Sequence, residues 1–150
     1  MNEELAKELK NYREHSNERA IKELIGSHND IENLNKLSII ELDVIAWIAD
    51  YNLKINDLLR YINMTQGAIS KLVNRLVEYG FVEKYHMKGN QKDTYLRLTN
   101  LGREVEAVHH QFHQELERRL EQALDQFTEQ DIRITVSVLK KINAARNQLD

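Results

Sequence analysis

The 150-residue chain contains no cysteine and no proline, and only five glycines. Without cysteine it has no disulfide framework, no thiolate zinc site and no thiol-based redox sensor. The lack of proline and the abundance of Leu, Glu, Lys, Gln and Asn favour a mainly helical protein. The chain has no evident signal peptide and no apolar run of membrane-spanning length, so we expect a cytoplasmic protein without a membrane partner. Its length suits a single domain.

The motifs of common enzyme classes are also missing. The sequence has no phosphate-binding loop, no Gly-x-Ser-x-Gly and no His-Glu-x-x-His. Serine, histidine and aspartate do not cluster as a catalytic triad would require. We therefore expect a protein without enzyme activity, without a catalytic residue and without a required cofactor.

The stretch from Asn56 to Thr99 is the most informative part of the sequence. A short helix comes first. A second helix then begins at Thr65, whose hydroxyl can cap it, and ends at Gly80, which can adopt a left-handed conformation. One face of this second helix is apolar, with Ile69, Leu72, Val73, Leu76 and Val77. The opposite face carries Gly67, Ser70, Lys71, Asn74 and Arg75, a set without a carboxylate, and the first acidic residue, Glu78, comes only in the last turn. Such a face is either an ordinary solvated surface or one that fits a phosphate-lined groove.

Two strand-like runs follow, Val82 to His86 and Asp93 to Thr99, and the polar stretch Lys88 to Lys92 separates them. They predict a β-hairpin with a basic tip. Residues 54–97 hold 8 Lys/Arg and 4 Asp/Glu, a net charge of +4, whereas the rest of the chain holds 13 and 20, a net charge of −7. Two helices followed by a hairpin predict a winged helix-turn-helix, and a positive segment in a negative chain favours double-stranded DNA as the partner.

From about residue 5 to its C-terminus the sequence resembles the MarR family of bacterial transcriptional regulators. The resemblance lies in Leu37-Ser38, Glu41, Val44-Ile45, Gln66 to Ser70, Leu76 to Val82 and Leu98 to Gly102. It implies a mainly α fold with a small antiparallel hairpin in one domain, 1–150. Residues 37–100 would form the DNA-binding lobe, and residues 1–36 and 101–150 a helical dimerisation region. The family's wing commonly carries Asp-x-Arg. Here Asn90 and Lys92 hold those positions, so that bracing of the wing is absent.

The resemblance also implies a function. We expect a homodimeric regulator, acting as a repressor, that binds a pseudo-palindromic operator with an affinity changed by an effector. The second helix would enter the major groove, and the wing would contact the flanking backbone or minor groove. The expected DNA contacts are Thr65, Gln66, Gly67, Ser70, Lys71, Asn74, Arg75, Lys88, Asn90 and Lys92. The alternative is a helical protein-interaction module that does not bind DNA.

Helices are predicted on both sides of this lobe. Residues 3–25 form a polar helix that needs a packing partner, with Gly26 as its stop. Ser38 with Glu41, and Thr128 with Asp131, are capping pairs ahead of later helices. The two C-terminal helices carry long apolar stripes: Val105, Val108, Phe112, Leu116, Leu120 and Leu124, then Ile132, Val136, Leu139, Ile142 and Leu149. The stripes predict either a bundle within one chain or a two-fold dimer, and the dimer is favoured.

Two effector sites remain open. His109 and His113 are four residues apart on a helix, the spacing at which two imidazoles can bind one metal ion. By resemblance to the zinc-responsive members of the family, Asp43 and Glu23 would complete a Zn²⁺ site. Otherwise the two histidines are polar residues at the edge of a dimer helix. The second site is a cleft for a small aromatic or amphipathic molecule, lined by Tyr12, Trp47, His109 and Phe112, which otherwise belong to the core.

Overall fold

The computed structural model describes residues 2–14 and 18–147. In chain order the elements are α1 (Glu3–Glu14), α2 (Glu18–Ser27), the 3-10 helix η1 (Leu34–Lys36), α3 (Ile39–Asp50), the 3-10 helix η2 (Ile55–Arg60), α4 (Gln66–Glu78), β1 (Val82–Met87), β2 (Asn90–Leu98), α5 (Asn100–Leu124) and α6 (Glu129–Asn147). The two strands form an antiparallel sheet. The predicted class, mainly α with one small hairpin, is confirmed.

The predicted helix over residues 3–25 corresponds to α1 and α2 in the described part of the chain. Residues 15–17 of that prediction, and Leu149 of the predicted C-terminal stripe, lie outside the described residues. The predicted stop at Gly26 is wrong, because α2 continues to Ser27. There the Ser27 hydroxyl donates to the carbonyl of Leu24 at 2.7 Å, so a polar side chain satisfies the end of this helix.

The chain comprises two compact units, Met1–Phe112 and His113–Asp150. The first unit holds the buried core. Its largest fully buried side chains include Phe81, Leu34, Ile45, Leu58, Ile69, Leu76 and Leu96. The apolar stripe of α5 starts in this core, since Val105 is buried and Val108 and Phe112 pack against it.

The second unit contains the end of α5 and all of α6, and its apolar side chains are largely exposed in the single chain. Eight large apolar residues here are between 36% and 55% exposed: Leu120, Leu124, Phe127, Ile132, Ile134, Val136, Val138 and Leu139. No residue of α6 is buried. The Thr128–Asp131 pair forms as predicted, with the Thr128 hydroxyl donating to Asp131 at 2.7 Å.

Helix α4 has the ends that the sequence predicts. The Thr65 hydroxyl accepts from the amide of Ala68 at 3.2 Å, and Gly80 lies at φ 81° just beyond the helix. Four of its five predicted apolar residues are buried. The fifth, Val77, is 36% exposed. It lies at the edge of the apolar face, where the first unit does not cover it.

The junction between the hairpin and α5 explains the Leu98 to Gly102 motif. The Thr99 hydroxyl donates to the carbonyl of Gly80 at 2.6 Å and accepts from the amide of Gly102 at 3.0 Å. A Cβ on Gly102 would lie 2.0 Å from the carbonyl oxygen of Phe81. Only glycine therefore allows α5 to start this close to the residues that follow α4.

Candidate nucleic-acid interface

The polar face of α4 lies on the surface of the first unit. Five of its residues are exposed and Ser70 is half-buried; the exposed ones are Gln66, Gly67, Lys71, Asn74 and Arg75. Thr65, the capping residue, is exposed as well. The Gln66 amide donates to Asn56 Oδ1 on η2 at 3.3 Å, which links the two helices of the helix-turn-helix. The α4 face therefore presents amide, hydroxyl and ammonium groups to solvent, with the exposed carboxylate of Glu78 in its last turn.

Arg75 has a contact that the sequence did not predict. Its Nε donates to Oε1 of Glu41 at 2.6 Å, and the carboxylate is 1% exposed while the arginine side chain is 49% exposed. The Glu41 hydrogen bond holds the pKa of Arg75 above its ordinary value. Arg75 thus ties α4 to α3 while part of its guanidinium stays at the surface. Its role at phosphates or guanine stays a prediction.

Lys84 belongs to the same surface and is missing from the predicted contacts. Its ammonium donates to Oδ1 of Asn74, so a strand of the wing bonds to the exposed face of α4. The alternation of the strand could have identified it: Val82, two residues earlier, is buried, so Lys84 projects from the same face of the hairpin toward α4.

The wing is tighter than the sequence indicates. Residues 88–92 were predicted as its turn, but β2 begins at Asn90, which leaves only Lys88 and Gly89 between the strands. Gly89 at φ 80° permits this two-residue connection. The register pairs Tyr85 with Tyr95 and then Met87 with Asn90, an irregularity that leaves Lys92 opposite no regular partner. Lys88 and Lys92 are both exposed, as a wing that contacts DNA requires.

A side-chain network braces the wing without the family's aspartate–arginine pair. Asn90 Nδ2 donates to Asp93 Oδ2 at 3.0 Å, and Asn90 Oδ1 accepts from the amides of Lys92 and Asp93 at 3.1 Å each. Lys54 Nζ lies 3.3 Å from the same Asp93 oxygen. The hydrogen bond from Asn90, followed by that from Lys54, lowers the pKa of Asp93, and Asp93 raises that of Lys54. Asn90 is therefore half-buried in this network.

A small polar cavity lies where α4, η2 and the base of the wing meet. Its volume is about 200 Å³, and it is lined by Lys54, Ile55, Asn56, Ser70, Lys92, Asp93 and Thr94. It places Ser70 of the α4 face and Lys92 of the wing around one concave surface. The two parts of the predicted DNA-contacting set therefore form one continuous region.

The predicted metal ligands are only partly brought together. His109 is 5% exposed, and its Nε2 lies 3.9 Å from Oδ1 of Asp43. Glu23 is exposed and pairs with Arg19 at 3.4 Å, and His113 is exposed in the second unit. Within residues 2–14 and 18–147, no three His, Cys, Asp or Glu side chains form a group that could hold a metal ion. The described residues of one chain therefore do not fit the four-ligand zinc site.

The residues predicted to line the effector cleft lie in different environments. Tyr12 is 81% exposed, Trp47 stacks on Tyr61 with ring centroids 5.1 Å apart, and Phe112 packs on the core. A larger apolar cavity of about 490 Å³ lies elsewhere, between α2 and the start of α3, lined by Ile21, Lys22, Ile25, Leu37, Ser38, Ile39 and Ile40. It includes none of the predicted lining residues. The assignment of Tyr12, Trp47, His109 and Phe112 to a cleft stays a prediction.

A short helix, a turn, a helix with an exposed polar face and a two-stranded wing together define a winged helix-turn-helix protein. Residues 36–90 match the model of the MarR family. The uncharacterized HTH-type transcriptional regulator YhjH of Bacillus subtilis (strain 168) is 27% identical over 106 residues, which cover 69% of this chain and 61% of that protein. The chain is therefore similar to MarR-family proteins over its winged helix-turn-helix lobe. The relatives that it matches are HTH-type transcriptional regulators.

Solved structures share the fold. Streptococcus pneumoniae FabT in complex with DNA superimposes with a TM-score of 0.74 at 20% identity, covering 98% of each chain. The zinc-dependent MarR family transcriptional regulator AdcR in its Zn(II)-bound state gives a TM-score of 0.58 at 22% identity, covering 76% of each chain. The match to YhjH spans only 61% of that relative's length. In the described ranges, no helix combines the length and apolar character needed to cross a membrane.

Proposed function

We propose that the protein is a sequence-specific, double-stranded DNA-binding transcriptional regulator that acts in the bacterial cytoplasm. It would bind a pseudo-palindromic operator as a homodimer and repress transcription, and an effector would change its affinity. Helix α4 is the recognition helix in this proposal. It enters the major groove, while Lys88 and Lys92 of the wing contact the flanking backbone or minor groove.

One observation carries the proposal: the exposed face of α4 offers donors and cations along most of its length, and its one carboxylate, Glu78, comes only in the last turn. Gln66, Ser70, Lys71 and Asn74 lie on it, and the basic wing flanks it. The lobe segment 54–97 has a net charge of +4 within a chain whose total is −3. Positive charge concentrated on one surface attracts a phosphate backbone, and the neutral donors beside it can contact base edges. FabT, which shares the fold, has been solved with DNA bound.

The exposed apolar residues of the second unit support the homodimer. Eight large apolar side chains between Leu120 and Leu139 are at least 36% exposed in the single chain. A patch of this extent on a monomer is costly in water and marks an association surface. A two-fold dimer would present two recognition helices about one helical turn of DNA apart, which matches a pseudo-palindrome.

A mobility-shift titration tests DNA binding directly. The duplex upstream of the protein's own gene is compared with a shuffled duplex of equal length, at several salt concentrations. We expect preferential binding of the first duplex, with an affinity that falls steeply as salt rises. Lys71→Glu should abolish the shift. Lys140→Glu, which makes the same charge change on α6, should retain more DNA binding than Lys71→Glu does. Salt-independent binding, or none to either duplex, would instead favour the helical protein-interaction module. A promoter reporter tests the sign of regulation: expressing the protein should lower the reporter's output, and a higher output would contradict repression.

A zinc-responsive regulator is the second candidate, favoured by the buried His109 close to Asp43 and by the Zn(II)-bound AdcR among the fold's neighbours. Because the described residues of one chain supply no group of three ligands, this candidate needs further donors. The test compares operator binding with and without Zn²⁺ for the parent and for His109→Ala/His113→Ala. If zinc changes the operator affinity of both proteins equally, or of neither, the histidines are structural. An organic effector near Tyr12, Trp47 and Phe112 is then favoured.

A further inference from the structure

Lys84 is held against the recognition helix by the architecture of the wing. It lies in the regular part of the hairpin, where it pairs with Leu96, and Leu96, Leu98 and Val82 are buried. Because side chains alternate along a strand, Lys84 shares the face of β1 that carries the buried Val82. Its backbone position is therefore fixed by the core, while its side chain, exposed at the end, extends over α4.

The bond that Lys84 makes limits what Asn74 can offer to DNA. The ammonium donates to Asn74 Oδ1, so the amide oxygen has a donor and the amide nitrogen, with its two hydrogens, is left for a further partner. An adenine would need that oxygen to accept from its N6 amino group. The lysine's positive charge beside the oxygen opposes the approach of this second donor.

The charge of Lys84 is also less compensated than that of three other cations in the lobe. Arg75, Lys54 and Arg97 each bond to a carboxylate, of Glu41, Asp93 and Glu83 respectively. Across the described residues, Lys84 forms no such ion pair, and its bond is to a neutral amide. Asn74 Nδ2 and Lys84 Nζ thus form a pair of adjacent donors with a net positive charge.

We propose that Asn74 and Lys84 together select guanine at one position of each operator half-site. This inference rests on the proposed function. In the major groove guanine presents two acceptors, N7 and O6, which match two adjacent donors, whereas adenine presents one acceptor and one donor, and cytosine a donor. Thymine has a single acceptor and a methyl group. Lys84 is then a specificity-determining residue that a strand of the wing supplies to the recognition helix.

The experiment measures base preference rather than affinity alone. Half-sites bound by the parent protein are selected from randomised duplexes, and each position is then tested with all four base pairs in competition. We expect the parent to prefer guanine by about tenfold at one position. Lys84→Met and Asn74→Ala should each reduce that preference to about threefold or less, leave other positions unchanged, and show no further loss in the double variant. Lys84→Arg, which retains a donor, should keep the preference.

Lys88→Met is the matched control, because it removes a lysine from the turn of the same hairpin. It should weaken all four duplexes alike, as a phosphate contact does. The same uniform loss in Lys84→Met would overturn the proposal, as would an adenine or cytosine preference at the position that Asn74→Ala alters. Thermal unfolding of each variant shows whether the lobe remains folded. A parent protein without any base preference contradicts the proposed function itself, which separates the two failures.

Discussion

Arg75 and Glu41 join the recognition helix to α3 through a 2.6 Å bond between Nε and Oε1. The other carboxylate oxygen accepts from the backbone amide of Ser38 at 2.8 Å and from its hydroxyl at 2.7 Å. One buried carboxylate therefore caps the start of α3 and also holds the helix that carries the DNA-contacting face. The position of α4 depends on this group as well as on its apolar side.

Arg75→Met should destabilise the protein, since it leaves Oε1 of Glu41 buried without its charged partner. We expect a loss of about 1–3 kcal/mol in the free energy of unfolding, measured by urea denaturation. Arg133→Met is the control, because Arg133 and its partner Glu129 are 71% and 92% exposed. Such a pair contributes about 0.5 kcal/mol or less. Equal losses in both variants would show that the buried carboxylate does not depend on Arg75.

The Glu41 case shows which parts of the structure the sequence could predict. The capping box follows from the local spacing of Ser38 and Glu41, and the ends of α4 follow from Thr65 and Gly80, because these interactions span only a few residues. The bond to Arg75 crosses 34 positions. No local pattern indicates it, since it depends on how α3 and α4 pack.

The wing shows the same division. Its two strands and basic turn follow from composition, but the five-residue turn is wrong because Gly89 at φ 80° permits a two-residue connection between β1 and β2. The bracing by Asp93 and Lys54 could not be predicted, since it joins residues 39 positions apart. Lys84 is absent from the predicted contacts although strand alternation places it on the same face of β1 as the buried Val82.

Gly102→Ala should be severely destabilising. Its Cβ would meet the carbonyl oxygen of Phe81 at 2.0 Å, a backbone atom that cannot move without shifting the start of α5. Overpacking of this kind costs about 1–3 kcal/mol or more, measurable as a lower midpoint of thermal or urea unfolding. Gly67→Ala is the matched control. It lies on the exposed face of α4 with no atom within 4 Å of the added Cβ, so it should stabilise by about 0.5–1 kcal/mol. Equal shifts of the unfolding midpoint in both variants would contradict the close approach of Gly102 to the Phe81 carbonyl.

The carboxyl of Asp93 should titrate below its ordinary pKa of 3.8, mainly because Asn90 and then Lys54 donate to it. A folded-state pKa below the unfolded one means that the interaction contributes stability above the unfolded pKa and loses it as pH falls through the folded pKa. Carboxyl NMR shifts should therefore show Asn90→Ala raising the pKa of Asp93 toward 3.8. Asp131, whose pKa is lowered by Thr128, serves as the internal control and should not change. If the pKa of Asp93 does not change in Asn90→Ala, Asn90 does not brace the wing through this carboxylate.

Lys88→Ala and Lys92→Ala should weaken binding to all sequences by similar factors, because both side chains are exposed on the wing and would contact phosphates. Each loss should lower the slope of log affinity against log salt by about one, and the double variant should lower it by about two. Lys140→Ala, on α6, should leave the slope unchanged. A variant that loses affinity for the selected operator alone would assign that lysine to base contacts instead.

The last prediction concerns the dimer. Light scattering at micromolar concentration should give twice 17.7 kDa for the parent protein. Val136 is 44% exposed in the single chain, so Val136→Lys should leave α6 helical by circular dichroism. Across a two-fold interface, however, it would place desolvated positive charges on both subunits. We therefore expect a 17.7 kDa monomer.

Gln91→Lys, which adds the same charge to the exposed wing, should remain dimeric. The monomer should also lose more than about tenfold in affinity for a full palindrome, while its affinity for an isolated half-site stays close to the parent's, because only the dimer engages two half-sites at once. A parent that scatters as a monomer would contradict the dimer. A Val136→Lys dimer would place the interface elsewhere than on the exposed apolar residues of α6.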